Sequence, residues 1–362
     1  MRPRKLIFNF LIVVLASAAT FALCELAFRS LLFSKASFMQ KFRIPDLYAS
    51  YDSEDNYWKL HYLFGGKYRP PTHPHPRLGW VGSFSRDTYV HDNTSQVGSK
   101  TAVLLYGDSF AQCSTIPNKQ ECFEGLLNSD PDFSRQHFLL NYGVGGYGVD
   151  QILLLLQESL PHYEHPFVIV GIMTWDLDRS AHSVRVGQKP YFKVENEALV
   201  LKGVPISQNP EEFFASNPPR VWSYLLRLWA LGDGPLWRLR QAVQGVEERR
   251  RNMEDINEKI LMKIIQELRR GKSPHMFVIF YPNWVYQGPP DWREKLIKRV
   301  LEENGESYLS TKELVFEDAK RLGKSPKEYY YSEDHPTSYQ YRLISDRIKP
   351  FIVSRRESGR EN

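Results

Sequence analysis

Three short stretches of this 362-residue sequence hold residue types that could make and break a covalent bond together. Gly107-Asp108-Ser109-Phe110 closes a wholly apolar run, Asn141-Tyr142-Gly143-Val144-Gly145-Gly146 is a glycine-rich turn, and Asp334-His335-Pro336 lies near the C-terminus. A serine hydroxyl becomes a nucleophile when an imidazole takes its proton, and the oxyanion formed on the attacked carbonyl needs amide hydrogens placed to receive it. A serine, a glycine turn and a late histidine supply all three parts. Two plainer readings compete. Asp108 and Ser109 are good helix N-caps, and a glycine-rich turn also suits a nucleotide. The second weakens because the P-loop lysine is missing and GxGxxG is not matched in a first βα turn. Cys113, four residues past the serine, has no histidine tied to it by motif and reads as structural.

Residues this far apart meet only if the elements between them end at one edge. Apolar, partly β-branched runs at 101–106, 137–142, 167–172 and 276–281, with a weaker one near Tyr308, predict five strands. Runs apolar on both faces belong in a parallel sheet, and open α/β sheets hold ligands outside the carboxyl ends of their strands. Ser109 and the glycine turn then share that edge. Helices are predicted at 151–158, at 338–348 and at 252–270, where Ile256, Ile260, Leu261, Ile264, Ile265 and Leu268 fall on one face. The alternation argues for βαβ units in one α/β domain over 77–355.

The alternation breaks in an insertion at about 180–251. A hairpin is predicted around Glu195-Asn196-Glu197, and Trp222, Trp229 and Trp237 follow among arginines. This reads as a helical subdomain over the sheet edge, or as a lid or a surface meeting a membrane or partner. Residues 31–76 show no sustained period and read as a stalk that becomes a packed arm at Leu78-Gly79-Trp80. His73 and His75 have no acidic or cysteine partner nearby and read as loop residues. No metal or cofactor is expected, and residues 356–362 read as a disordered tail.

Arg2, Arg4 and Lys5 precede an uncharged stretch, Leu6 to Cys24, of nineteen residues, about the length that crosses a bilayer. Flanking positive charge puts the N-terminus in the cytoplasm and the rest outside. Ala16-Ser17-Ala18 resembles a signal-peptide cleavage site. Apolarity continues through Phe21, Leu23 and Leu26, so an uncleaved anchor over 1–30 is the reading taken, and either reading exports the domain. Cys113 and Cys122 then form a disulfide or stay as two buried thiols. With 47 basic against 42 acidic residues and no long basic stripe interleaved with aromatics outside Arg220 to Arg251, nucleic-acid binding is set aside. The oligomeric state is open.

The three stretches resemble, in order and spacing, the first, second and last motif blocks of the GDSL, or SGNH, hydrolase superfamily, over roughly Leu78 to Ile352. The resemblance implies an SGNH-hydrolase-like (flavodoxin-like) three-layer α/β sandwich, its five parallel strands ordered 2-1-3-4-5, preceded here by one transmembrane helix. It implies Ser109 as nucleophile, His335 as base, and the amides of Ser109 and Gly146 as oxyanion donors. It also implies an acylated glycan or other ester as substrate, since a membrane anchor ahead of such a domain resembles bacterial extracytoplasmic members acting on acyl groups of cell-surface polysaccharides. Hydrolysis, acyl transfer to a sugar and glycan binding on a decayed hydrolase fold all remain open. Two positions depart from the pattern. Trp175 stands where the third block has an oxyanion-binding asparagine, with Thr174 beside it as a substitute donor. The acid expected three or two residues before the histidine falls on Ser332 or Glu333, which makes Glu333 the expected partner of His335 and Asp334 the second choice.

Overall fold

The computed structural model describes residues 3–49, 54–65, 73–207, 209–229, 245–331 and 334–354. They form two compact units, the larger from Pro70–Gln208 and Arg251–Asn362, the smaller from Met1–Arg69 and Asn209–Arg250.

The larger unit is built on five parallel strands, β1 (Thr101–Gly107), β2 (His137–Gly143), β3 (Phe167–Met173), β4 (His275–Phe280) and β5 (Tyr308–Ser310), in the order β2-β1-β3-β4-β5. This is the expected sheet. Period-two alternation divides each strand between two cores. Ala102, Leu104 and Tyr106 of β1 enter one, against Ile152 and Leu155 of the helix Val149–Ser159, Ile260 and Ile264 of Val246–Arg270, and Ile297 and Val300 of Trp292–Glu303. Val103 and Leu105 enter the other, against Phe123 and Leu127, Val315 of Thr311–Leu322, and Ile344 and Ile348 of Ser338–Ser354. Each Leu or Ile buried in this way contributes about 1.5–3 kcal/mol, so both faces demand cover. The result is a three-layer α/β sandwich.

Helix boundaries differ from the predicted ones for local reasons. Val149–Ser159 begins two residues before 151, because Gly148 is its N-cap and offers its N–H to Gln151 Oε1 at 3.3 Å. Val246–Arg270 starts in a polar turn, EERRR, that has no apolar face to announce it. Ser338–Ser354 runs past 348 and through Pro350, because Ile352 continues the buried period.

The hairpin forms as expected, Tyr191–Glu195 against Ala198–Lys202. Asn196 and Glu197 both take positive φ, 49° and 64°, as a two-residue turn of this kind requires. In the arm, Pro74–His75 pairs with Gly79–Trp80. His75 is buried there as a turn residue: Nδ1 accepts the N–H groups of Arg77 and Leu78 at 3.1 and 3.0 Å, which leaves Nε2–H to donate to Arg86 O. Cys113 and Cys122 are both buried free thiols, so the disulfide alternative is not formed.

In the smaller unit the N-terminal helix, Pro3–Leu32, carries a segment Ile7–Leu32 of mean hydropathy 2.3 with none of its apolar window buried, long enough to cross a bilayer. The helix Asp55–Gly65 lies where the sequence showed no period; only Tyr57, Lys59 and Leu60 are buried, too few for a legible face. Leu32, Tyr48, Leu60 and Tyr224 share a small core. Glu25 caps the helix Tyr224–Trp229 by accepting from the N–H groups of Tyr224 and Leu225, and buried Glu54 pairs with Arg227 and Arg249 at 3.1 and 3.0 Å. Trp222 is exposed, and Trp237 lies outside the described residues.

Candidate active site

β1 ends at Gly107, where an added Cβ would stand 2.5 Å from Ala111 Cβ and 3.0 Å from Gly171 O of β3. Only glycine lets the chain turn so close to its neighbour. Asp108 and Ser109 follow at once. Asp108 is buried and its Oδ1 accepts the Phe110 N–H at 2.8 Å, which fixes a turn; no helix starts here, so neither Asp108 nor Ser109 is a helix cap. The Ser109 hydroxyl is used differently. Its Oγ stands 2.9 Å from His335 Nε2 and 3.3 Å from Asp108 Oδ2.

His335 arrives on a loop closed like a small hairpin. The Tyr331 N–H donates to His335 O at 2.8 Å and the Thr337 N–H to Tyr329 O at 2.9 Å, while Tyr330 and Pro336 form a β-bridge. The Tyr330 hydroxyl donates to Tyr281 O, just past β4, and so ties the loop to the carboxyl edge of the sheet. The imidazole packs on the Phe110 ring, centroids 4.9 Å apart. Asp334 takes a left-handed φ of 64°, and burial raises its carboxyl while His335 draws it back. Ser332 and Glu333, the expected acid, lie outside the described residues.

The glycine turn after β2 sits beside the serine. A Cβ on Gly145 would come within 4.0 Å of Ser109 Cβ, and a Cβ on Gly143 within 2.5 Å of the Gln112 amide nitrogen. Asn141 binds the two turns, its Nδ2 donating to Ala111 O and its Oδ1 accepting from Gly143 N, both at 2.9 Å. Gly145 is held twice: its N–H donates to Gln112 Oε1 at 3.0 Å and its C=O accepts from Trp80 Nε1 at 3.1 Å. Gly146 has φ +82°, and neither its N–H nor that of Ser109 has a protein acceptor among the described residues.

Past β3, Trp175 is half-buried against the core that contains Phe110. Its indole meets Trp284 edge-on at 5.4 Å and lies 4.4 Å under the Arg293 guanidinium, and Nε1 is buried with no acceptor among the described residues. Thr174 Oγ1 is in the same state. Asp176 is fully buried; its Oδ2 accepts the Met173 N–H at 3.2 Å and its Oδ1 faces Arg179 Nη1 at 2.5 Å. Sequence reasoning gave no role to Gln112, Asp176, Arg179 or Trp80. Trp80 carried a signal as part of the packed arm, and Asp176 as the end of the stretch Gly171 to Asp176 compared with the third block; Gln112 and Arg179 carried none.

Neither a protein-family profile nor a curated protein matches the chain. Among solved structures, an acetyl xylan esterase, AlAXEase, is 12% identical with a TM-score of 0.39 over 70% of this chain and 98% of its own. An acetylxylan esterase from Geobacillus stearothermophilus is 14% identical with a TM-score of 0.38 over 69% and 93%. A two-domain esterase active on acetylated mannans is 11% identical with a TM-score of 0.40 over 73% and 51%. TM-scores this low carry no chemistry from those proteins to this chain.

Proposed function

We propose that this chain is a membrane-anchored, extracytoplasmic serine esterase of the SGNH type that removes O-acetyl or other short acyl groups from a cell-surface glycan. The observation that carries the reading is the 2.9 Å approach of His335 Nε2 to Ser109 Oγ across 226 residues of chain, at the sheet edge where such folds hold ligands. A hydroxyl so placed passes its proton to the neutral imidazole as Oγ attacks the ester carbonyl. The sugar oxygen leaves with that proton, and a water activated by the same imidazole releases the acid. The N–H groups of Ser109 and Gly146 receive the oxyanion. Glu333, two residues before His335, is assigned to orient the imidazole, with Asp334 as second choice. The apolar helix supports the anchor, and Arg2, Arg4 and Lys5 ahead of it support a cytoplasmic N-terminus. The glycan is supported only by the resemblance, an anchor-like helix ahead of motifs of this type.

The full-length chain in detergent micelles, assayed with p-nitrophenyl acetate and an O-acetylated polysaccharide, tests this beside Ser109→Ala and His335→Ala. The wild type should hydrolyse both esters, and each variant should be slower by about 10³-fold or more. Equal turnover by wild type and Ser109→Ala sinks the reading. Acetyl transfer to an added oligosaccharide in preference to water moves it to an acyltransferase using the same acyl-enzyme.

A further inference from the structure

We propose that the Leu78-Gly79-Trp80 strap is a latch that aims the oxyanion donor, an inference that rests on the serine-esterase reading. A peptide unit is planar and trans, so its C=O and N–H point in opposite directions. The Gly145 carbonyl is held by Trp80 Nε1 at 3.1 Å, and the N–H of that same peptide belongs to Gly146. Fixing the carbonyl on the indole turns the Gly146 N–H away from Trp80, free of any protein acceptor among the described residues. Gln112 completes the grip from the serine turn, its Oε1 taking the Gly145 N–H at 3.0 Å.

The strap is itself fixed. The Tyr147 hydroxyl donates to Trp80 O, Gln151 Nε2 donates to Leu78 O at 2.7 Å, and the buried indole meets the Tyr147 ring edge-on at 5.5 Å. At Gly79, φ is +91° and an added Cβ would stand 2.8 Å from Gln188 O, so the strap closes only with glycine there. Glycine-rich turns have the most conformational freedom to lose, and an oxyanion donor works best when it needs no reorganisation during the reaction. Flipping the Gly145–Gly146 peptide would break the bond to Trp80 and strand a buried indole N–H. Trp80 and Gln112 are therefore positioning residues, acting through the Gly146 amide.

The test replaces Trp80 in the full-length chain by benzothienylalanine, which keeps the bicyclic shape and puts sulfur where the N–H was. Turnover of p-nitrophenyl acetate should fall ~10- to 100-fold, with KM within ~2-fold. Inactivation by an alkyl phosphonate, whose phosphoryl oxygen takes the oxyanion position, should slow in parallel, while the pH at which the rate reaches half its maximum stays put. Gln112→Leu should reproduce the loss, and Gln112→Glu, which retains an acceptor, should restore most of it. Thermal midpoints are read alongside; if the Trp80 replacement unfolds, the Gln112 pair decides. Turnover and phosphonylation within ~2-fold of wild type in the Trp80 replacement, or equal rates for Gln112→Leu and Gln112→Glu, overturn the latch provided that Ser109→Ala is inactive. An active Ser109→Ala instead removes the esterase reading itself.

Discussion

The carboxylates of Asp108 and Asp176 converge on one guanidinium beside the Ser109 hydroxyl. Arg179 Nη1 lies 2.5 Å from Asp176 Oδ1 and 3.4 Å from Asp108 Oδ2, and Ser109 Oγ stands 3.3 Å from that same Asp108 oxygen. Two anions against one cation leave an excess charge where water cannot screen it. Burial first, and the Asp108 charge second, push the Asp176 carboxyl well above the usual range. Asp176 therefore keeps its proton to higher pH than a free carboxyl, which relieves the crowding of like charge against Asp108.

That proton has a measurable consequence. In the unfolded chain Asp176 ionises near its ordinary value of about 4, whereas the folded chain keeps the proton to higher pH. The folded state then binds the extra proton, so the contribution of Asp176 to stability is fully present below about pH 4 and falls by about 1.4 kcal/mol per unit above it, up to the folded value. Asp176→Asn has no such dependence. Whatever the constant offset between the proteins, the Tm of the variant relative to wild type should climb as pH rises above about 4. A difference that stays flat over that window would mean that Asp176 is ionised in the fold.

The parts of this architecture legible in the sequence are those set locally. Apolar runs such as that ending at Gly107 identify a strand, and the residue that must turn away from it, with no knowledge of the neighbour. His335 drew notice through its motif and the helix behind it, and the structure brings it to Ser109. Contacts between elements left no such trace. Gln112 and Gly145 are 33 residues apart, Trp80 and Gly145 65, Arg179 and Asp108 71, and each pair meets only once the sheet edge is assembled. Trp175 marks the limit from the other side. Its position against the third block was readable, but its packing depends on Trp284, in the short turn after β4, and on Arg293, in the first turn of the helix Trp292–Glu303, and neither contact is announced by the chain around Trp175.

Trp175 supplies the next prediction. A buried N–H without an acceptor costs about 1–3 kcal/mol, and under the proposed esterase reading the oxyanion is the acceptor that the Trp175 indole lacks. Trp175→Phe keeps a ring for Arg293 and Trp284 while deleting the donor. Turnover of ester substrates should drop ~10- to 100-fold with folding retained. Trp175→Asn, which puts a compact amide donor at the same place, should exceed the Phe variant. Unchanged turnover together with a raised Tm in Trp175→Phe would assign the indole to packing alone.

Asp318 holds both ends of the segment that carries His335. The Tyr329 and Tyr339 hydroxyls donate to its Oδ2 at 2.6 and 2.8 Å, and Arg321 donates to Oδ1. Burial alone would raise this carboxyl, but the hydrogen bonds from Tyr329, Arg321 and Tyr339 outweigh it and hold the group below the usual carboxylate range. The sign follows from that depressed value: the stabilisation is complete above the unfolded value of about 4 and is lost as pH falls through the folded one. Asp318→Asn should therefore lower Tm at neutral pH, by an amount worth about 1–3 kcal/mol, and the gap should close toward about pH 3. Loosening the segment reduces the fraction of molecules with His335 within reach of Ser109 and leaves ester binding alone. So kcat for p-nitrophenyl acetate should fall several-fold at constant KM, and Tyr339→Phe, which removes one of the two phenol anchors, should lie between the variant and wild type. A Tm gap that persists unchanged at acid pH, or a change confined to KM, would show that Asp318 does not hold the loop.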